Sequence, residues 1–302
     1  MIEISNMNTL DKKISLFKAI YNQNKNKLLY ITDFDYTITR KYNYLTNEKF
    51  RNTYSIYNQE VFGGNQSLYL LKDKELAELY EKYEEDNSYD YDIRKKKLYE
   101  WYKLSLINMS HEKLNKESFK KMVELNFDYI KMRNKFKILF ELLIKEDIPI
   151  IIISGGIKEI IIEILKTLNI KEFNNYLSKK KVIIIANSLL EKDKQEMIYP
   201  FNKNLIIKKI LDKNYKGFES IIIVGDLITD YQSINELDID KEKNVIGIGF
   251  LDYEPKKMNI VKNNYKNDMI FKEYFNVFDI VLLNDQGYDY IIDILQKIIS
   301  KY

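Results

Sequence analysis

The segment KLLYITDFDYT, residues 27–37, joins a short apolar run to two carboxylates, and it decides how the rest of the chain is interpreted. Its apolar half is typical of a strand that is buried on both faces. Asp33 follows that half directly, and Asp35 comes two residues later. Because side chains two apart on an extended chain point the same way, Asp33 and Asp35 can share one cavity while Phe34 points into the core. The segment therefore predicts a buried strand that ends in a polar site.

The chain after residue 137 alternates short Ile/Val-rich runs with amphipathic ones, whereas residues 44–137 are charged, aromatic and free of Pro. Continuous apolar strands that alternate with helices indicate a mainly parallel sheet covered on both faces. The charged stretch instead has helix-like patterns such as KDKELAELYEKYEED. We therefore predict an α/β core formed by residues 1–43 and 138–302, with its first strand near Leu28. Residues 44–137 are predicted to be a helical insertion after that strand.

The composition excludes several kinds of chemistry and partner. The chain has no Cys and one His, so disulfides, thiolate chemistry and sites that need two imidazoles are excluded. A formal net charge of +3 gives no case for a nucleic acid polymer as partner, since such binders usually carry a basic excess. No apolar run approaches the roughly 20 residues of a membrane span, and the start lacks a signal peptide. We expect a cytoplasmic monomer without a membrane partner.

Residues that can do chemistry follow three of the predicted strands. They are Asp33 with Asp35, then the segment 154–156 (SGG), then Asp226 with Asp230 four residues later. Open parallel sheets bind ligands beyond the carboxyl ends of their strands, so we expect the three loops to converge. Two neighbouring carboxylates raise the pKa of one of them, which lets one act as an anionic nucleophile and the other as a proton donor. Carboxylate oxygens without His or Cys favour Mg²⁺ as a bound cation.

A lysine and a Gly-rich turn add groups that can bind a phosphate. Lys203 opens the amphipathic run KNLIIKKIL and can reach a phosphate as a point charge. Ser154 can supply a hydroxyl, and Gly155 an unobstructed amide. The alternatives are a solvated surface lysine, a plain turn after a strand, and aspartates that only cap turns or helices.

The ordered series Asp-x-Asp-x-Thr, Ser, Lys and Gly-Asp resembles the haloacid dehalogenase superfamily of phosphatases. Longer stretches resemble the cytosolic 5'-nucleotidases of type III, which comprise the pyrimidine and 7-methylguanosine nucleotidases. The stretches are ITDFDYTITR (31–40), PFNKN (200–204), GDLITD (225–230), GIGFLD (247–252) and FDIVLLNDQ (278–286). The resemblance covers nearly the whole chain from about Lys25. It implies a Rossmann-like core of the haloacid dehalogenase type with an inserted all-helical cap.

The resemblance also implies an activity and a role for each site residue. The activity is Mg²⁺-dependent hydrolysis of nucleoside 5'-monophosphates, with CMP, UMP or 7-methyl-GMP as candidate substrates. Asp33 would form an aspartyl-phosphate, and Asp35 would protonate the leaving nucleoside and then activate water. Mg²⁺ would be held by the Asp33 carboxylate, the Asp35 main-chain carbonyl and the Asp226 carboxylate, with support from Asp230. The phosphate would be bound by Ser154, Gly155 and Lys203.

The base-binding residues are expected in the insertion. Trp101 and Ser105 match a segment that faces the nucleotide in the family, and Trp101 would either stack on the base or pack inside the cap. The family also has an upstream acid that contacts the base. Here it would be Glu85 or Asp86, or it would be replaced by Asn87, so the base preference stays open.

Two alternatives to a nucleotidase remain. One is a capped phosphatase of the same superfamily that acts on a sugar phosphate or on phosphoserine. The other is a non-catalytic nucleotide-binding protein, which is disfavoured because every catalytic position holds a competent residue.

Overall fold

The computed structural model describes residues 1–56, 68–85, 88–111, 114–171, 173–191, 196–214, 217–261 and 264–300. In chain order the strands are β1 (Ile2–Ile4), β2 (Leu28–Thr32), β3 (Tyr42–Asn43), β4 (Glu48–Lys49), β5 (Ile150–Ile157), β6 (Val182–Asn187), β7 (Ser220–Gly225), β8 (Val245–Leu251) and β9 (Ile280–Leu283). The α-helices are α1 (Met7–Gln23), α2 (Leu68–Tyr80), α3 (Lys82–Glu85), α4 (Tyr91–Ser110), α5 (Lys116–Leu125), α6 (Phe136–Lys145), α7 (Lys158–Thr167), α8 (Phe173–Ser178), α9 (Lys203–Asn214), α10 (Ile228–Gln232), α11 (Lys241–Asn244), α12 (Pro255–Val261), α13 (Met269–Val277) and α14 (Asp289–Ile299). None of the described helices has the length and apolarity that crossing a membrane requires.

Seven strands form one sheet in the order β1-β9-β8-β7-β2-β5-β6, while β3 and β4 form a separate hairpin. Neighbouring strands of the sheet are parallel except for β1 and β9, which pair antiparallel. The predicted mainly parallel α/β fold is therefore confirmed. β2 lies between β7 and β5, so the Asp-x-Asp segment leaves the middle of the sheet.

The apolar runs form strands because helices cover both faces of the sheet. Along β2, Leu28 and Tyr30 pack into one core cluster, and Leu29 and Ile31 pack into another on the opposite face. Residues of α1, α5, α6, α7 and α14 fill the first cluster, and residues of α9 contribute to the second. Every residue of β5 and β7 is buried, as two covered faces require.

The first strand of the sheet is not the one near Leu28, and the prediction was wrong on this point. β1 precedes it and lies antiparallel to β9 at the edge of the sheet, with Ile2 opposite Leu282. Three residues with a central Glu are too short a run for periodicity to identify as a strand. The pairing depends on β9, which lies far away in the sequence.

The chain between β2 and β5 forms the hairpin β3–β4 and the helices α2 to α6, so this stretch is mostly but not wholly helical. α2 packs against α4. By contrast α5 places Phe119 and Met122 in the main core cluster, and the predicted boundary at residue 138 falls inside α6. The division into a core and a cap at residues 44–137 stays a prediction.

Candidate active site

The carboxyl ends of three neighbouring strands meet around one cavity of about 470 Å³. β2 carries Asp33 and Asp35 to its edge, and the backbone N–H of Asp33 donates to the carbonyl of Val224 in β7 at 3.0 Å. The structure brings together most of the residues that the sequence singled out. The cavity is lined by Asp33, Asp35, Trp101, Ser105, Ser154, Gly155, Lys203 and Asp226.

Lys203 lies at the centre of a buried ion network. Its Nζ donates to Asp33 Oδ1 at 2.8 Å and to Asp230 Oδ1 at 2.6 Å, and all three side chains are buried. With 3% of its surface exposed, Lys203 is not a solvated surface residue. Burial opposes its protonation, but the charges of Asp230 and Asp33 outweigh burial and raise the pKa of Lys203 above its ordinary value. Lys203 is therefore a fixed cation beside the Asp33 carboxylate.

Asp230 both caps a helix and belongs to this network. Its Oδ2 accepts from the backbone N–H of Leu227 at 2.9 Å while its Oδ1 faces Lys203. A Cβ at position 225 would lie 2.3 Å from the Asp230 Cβ, so only Gly225 allows this approach. The alternative that the aspartates only cap turns or helices therefore describes one of the two contacts of Asp230, which also pairs with Lys203.

Three carboxylates can bind a cation together. One oxygen from each of Asp33, Asp226 and Asp230 lies within 4.8 Å of the others. Desolvation, followed by the charges of Asp33 and Asp230, raises the pKa of Asp226 well above its usual value. A bound cation would relieve this repulsion, and an all-oxygen donor set suits a hard divalent ion. These residues therefore fit the expected metal.

Asp35 is not one of these three carboxylates, and it accepts hydrogen bonds from Thr53. The Thr53 backbone N–H donates to Asp35 Oδ1 at 2.9 Å, and its hydroxyl donates to Oδ2 at 2.5 Å. Burial raises the pKa of Asp35 to about 6, and the two hydrogen bonds from Thr53 oppose this rise. Asp35 is thus set up for proton transfer, while metal binding through its main-chain carbonyl stays a prediction. No sequence pattern pointed to Thr53, because a lone Thr in a polar stretch belongs to no recognisable motif.

Residues 154–156 are not a plain turn. β5 continues through them to Ile157, with an irregular register between Ile153 and Ile157. Ser154 is buried and its Oγ accepts from the Gly156 N–H at 3.0 Å. A Cβ at Gly156 would lie 2.1 Å from the Thr53 Oγ and 2.7 Å from the Asp35 Oδ2. The glycine therefore makes room for the Asp35–Thr53 pair.

The opposite wall of the cavity comes from the helices between β2 and β5. α4 contributes Trp101, which meets Tyr102 edge-on at 5.9 Å, and it also contributes Ser105. Glu84 of α3 lines the cavity and accepts from the Tyr102 hydroxyl at 2.9 Å. Among the described acids next to the predicted positions 85 and 86, Glu84 is thus the one that lines the cavity. Asp86 and Asn87, together with the side chain of Glu85, lie outside the described residues.

A buried arginine that the sequence did not single out holds the loop after Asp35. Arg133 Nε donates to the Thr37 carbonyl at 2.9 Å, and its terminal amino group donates to the Tyr36 carbonyl at 2.6 Å. That group also pairs with Asp252 at 2.5 Å. Tyr36 has a φ of +62°, in the left-handed region, so the loop needs such support. The only available signal was that Arg133 is one of four Arg residues.

A parallel sheet whose central strand ends in Asp-x-Asp, beside a lysine and two further aspartates, defines a phosphatase of the haloacid dehalogenase type. A sequence model described as "Pyrimidine 5'-nucleotidase (UMPH-1)" matches residues 36–299. The chain belongs to this family of 5'-nucleotidases.

Individual relatives agree with this assignment. The chain is 24% identical over 277 residues to a 7-methylguanosine phosphate-specific 5'-nucleotidase A of Xenopus laevis, covering 91% of this chain and 89% of that protein. The corresponding Gallus gallus enzyme is 23% identical over 296 residues, with 96% and 94% coverage. The crystal structure of cytosolic 5'-nucleotidase IIIB bound to cytidine superposes with a TM-score of 0.76 at 21% identity, covering 98% of this chain and 92% of that one. This last similarity supports the fold.

Proposed function

We propose that the protein is a Mg²⁺-dependent 5'-nucleotidase that hydrolyses nucleoside 5'-monophosphates through an aspartyl-phosphate on Asp33. The observation that carries the proposal is the buried Asp33–Lys203–Asp230 network at one end of a cavity whose far wall is aromatic. A phosphate fits the charged end, and a base fits the aromatic end. The family membership supports the same substrate class.

The reaction has two steps at the Asp33 carboxylate. Asp33 attacks phosphorus and the bond to the nucleoside O5' breaks, while Asp35 gives its proton to that oxygen. Asp35 then takes a proton from water, which attacks the acyl-phosphate and releases phosphate. Burial favours the protonated form of Asp35 that the first step needs.

The phosphate would be held by groups at the strand ends. Lys203 supplies a fixed positive charge, and Ser154 with the Gly155 amide lies on the adjacent strand. Asp33, Asp226 and Asp230 would hold Mg²⁺, which would neutralise charge on the transferred phosphoryl group. We propose that the Asp35 main-chain carbonyl is a further ligand, and that Asp226 contributes more to Mg²⁺ binding than Asp230, which also pairs with Lys203.

The helices between β2 and β5 would close over the nucleotide as a cap. Trp101 offers an aromatic face for stacking, and Ser105 and Glu84 offer polar groups to the base. Relatives named for 7-methylguanosine phosphate and a neighbour bound to cytidine motivate 7-methyl-GMP and CMP as the first substrates to test. We also predict a monomer that acts in the cytoplasm.

Phosphate release from CMP, UMP, GMP, AMP and 7-methyl-GMP, each with and without Mg²⁺, tests the proposal. We expect turnover of at least CMP or 7-methyl-GMP that requires Mg²⁺. Asp33→Asn should lower it by about 10⁴-fold or more, the scale for loss of a covalent nucleophile. Faster hydrolysis of phosphoserine or a sugar phosphate than of any nucleotide would favour the alternative phosphatase.

A further inference from the structure

Three buried polar atoms that belong to residues lining the cavity lie without hydrogen-bond partners. We call these residues the Asp73 cluster: Asp73 on α2, Ser105 on α4, and Tyr54 on the segment before α2. The unpartnered atoms are Asp73 Oδ1, Ser105 Oγ and the Tyr54 hydroxyl, each shielded from solvent within the described structure. The Tyr54 hydroxyl lies near the Asn187 side chain, which opposes the rise of the Tyr54 pKa on burial, so Asp73 and Ser105 are the stronger evidence. Ser105 is 2% exposed. Buried polar groups are normally paired, so the neighbouring Asp73 and Ser105 atoms at the cavity point to a ligand that pairs them.

Asp73 has no visible structural purpose. Its helix α2 presents Asp73 and Ala77, one turn apart, to the cavity, and Glu81 lines it just after the helix ends. Burial raises the pKa of Asp73, and the nearby Ser105 hydroxyl opposes this rise without reaching hydrogen-bond geometry to it. Within the part of the chain that the structure describes, no Lys or Arg forms an ion pair with Asp73. Burying the Oδ1 of Asp73 without a partner therefore lowers the stability of the folded state.

The chemistry of the cluster limits what can pair it. A carboxylate accepts hydrogen bonds and cannot donate while ionised, so Asp73 requires an N–H or O–H donor on the ligand. The neighbouring walls are the rings of Tyr54, Tyr102 and Trp101, which suit a flat ring. Glu84 differs from Asp73 because it already accepts from the Tyr102 hydroxyl.

We propose that Asp73 is the residue that selects the base, by accepting a hydrogen bond from an exocyclic amino group. The inference rests on the proposed nucleotidase function and narrows its substrate class to amino-bearing bases. Cytosine presents an amino group where uracil presents a carbonyl oxygen. A carboxylate facing that carbonyl places acceptor against acceptor, so UMP is disfavoured. By the same argument GMP is favoured over IMP, because guanine has a 2-amino group that can donate to Asp73 and hypoxanthine has none.

The kcat/KM ratio for CMP against UMP measures this selection, because the two substrates differ at one edge of the base. We expect the ratio to be about tenfold or more in the unmodified protein, as for sites built to pair a substrate N–H. In Asp73→Asn the CMP/UMP ratio should fall to about three or less, because the Asn amide can donate a hydrogen bond to the uracil carbonyl. Ser105→Ala should also lower the CMP/UMP ratio, but by a smaller factor than Asp73→Asn. Glu75→Gln removes a charge from an exposed position of the same helix and should leave it unchanged.

Binding of cytidine and uridine, followed by the fluorescence of the single Trp101, supplies a readout that does not depend on turnover. Preferential binding of cytidine that Asp73→Asn removes supports the inference even if no nucleotide is hydrolysed. An unchanged CMP/UMP ratio in a folded Asp73→Asn variant overturns the inference and leaves the nucleotidase function intact. Failure of both nucleosides to bind also overturns it. Absence of phosphate release from every nucleotide contradicts the proposed function separately.

Discussion

The two ends of the cavity differ in how their polar groups are paired. At the sheet end, Lys203 contacts both Asp33 and Asp230, and Asp230 also caps α10. At the helical end, the buried atoms of Asp73 and Ser105 have no partner. The ion network of the sheet end is thus assembled by folding, whereas at the helical end folding pairs Glu84 with Tyr102 and leaves Asp73 and Ser105 for the ligand that we propose. From this contrast we infer that the sheet end supplies the chemistry and that the helical end selects the substrate.

Lys203→Met is expected to have the largest effect, because it removes the only cation that contacts both carboxylates among the described residues. Leaving Asp33 and Asp230 buried without it should cost about 3–5 kcal/mol of unfolding free energy. Turnover should also be lost. Urea unfolding and phosphate release measure the two effects, with Lys209→Met on the exposed side of α9 as a matched control. A stable, active Lys203→Met protein would mean that the sheet end is not assembled by this ion network.

Asp226→Ala and Asp230→Ala should separate metal binding from folding. Asp226 is partly exposed and the hydroxyl of Thr37 is 3.4 Å from its Oδ1, so its loss should chiefly raise the Mg²⁺ concentration needed for activity. Asp230 pairs with Lys203 and caps α10, so its loss should chiefly lower stability, by about 3 kcal/mol. Mg²⁺ titrations and melting curves of both variants check this. Equal shifts in Mg²⁺ dependence would count against the ranking.

Trp101→Ala tests the helical end without touching the ion network. If Trp101 stacks on the base, KM for nucleotides should rise by the equivalent of about 1–3 kcal/mol. Hydrolysis of p-nitrophenyl phosphate should change far less, since that substrate fills little of the base pocket. Trp101 is only partly buried, so the melting temperature should change little. Parallel losses on both substrates with a large drop in melting temperature would instead indicate a packing role.

Thr53→Val should have the smallest effect, a shift in the pH profile. The Thr53 hydroxyl stabilises the ionised form of Asp35, so its removal should raise the pKa of Asp35 above about 6. Because Asp35 acts as the acid in its protonated form, the alkaline limb of kcat/KM should move upward by about one pH unit, the equivalent of one hydrogen bond. Thr53→Ser keeps the hydroxyl and should keep the profile. If the alkaline limb of the kcat/KM profile does not move in Thr53→Val, then Thr53 does not affect proton transfer by Asp35.

The sheet end could be predicted from the sequence because a parallel sheet forces its strand ends together. Asp33, Ser154 and Asp226 each follow an Ile-rich run, so their convergence needs no knowledge of packing angles. Lys203 was harder, since its burial depends on where α9 begins relative to the sheet. Lys203 could be singled out only because it lies between the Ser154 and Asp226 motifs in the ordered series, since one lysine among many carries no signal by itself.

The helical end could not be predicted in the same way. Asp73 lies in a run of alternating Lys, Asp and Glu, where an inward-facing acid has the same local pattern as a solvated one. Only the packing of α2 against α4 turns it toward Ser105. Thr53 likewise acquires its role through contact with Asp35, which is 18 residues earlier in the chain. Such contacts are set by tertiary structure and leave no periodic signal.

Steady-state kinetics of Asp33→Asn and Asp73→Asn on CMP and UMP test the separation of chemistry from choice most directly. Asp33→Asn should abolish turnover of both substrates while cytidine still binds better than uridine. Asp73→Asn should still turn over both substrates and lose most of its preference for CMP. Substantial turnover by Asp33→Asn would contradict the assignment of the chemistry to the sheet end. Equal losses of CMP and UMP hydrolysis in Asp73→Asn, with an unchanged CMP/UMP ratio, would contradict the assignment of base selection to the helical end.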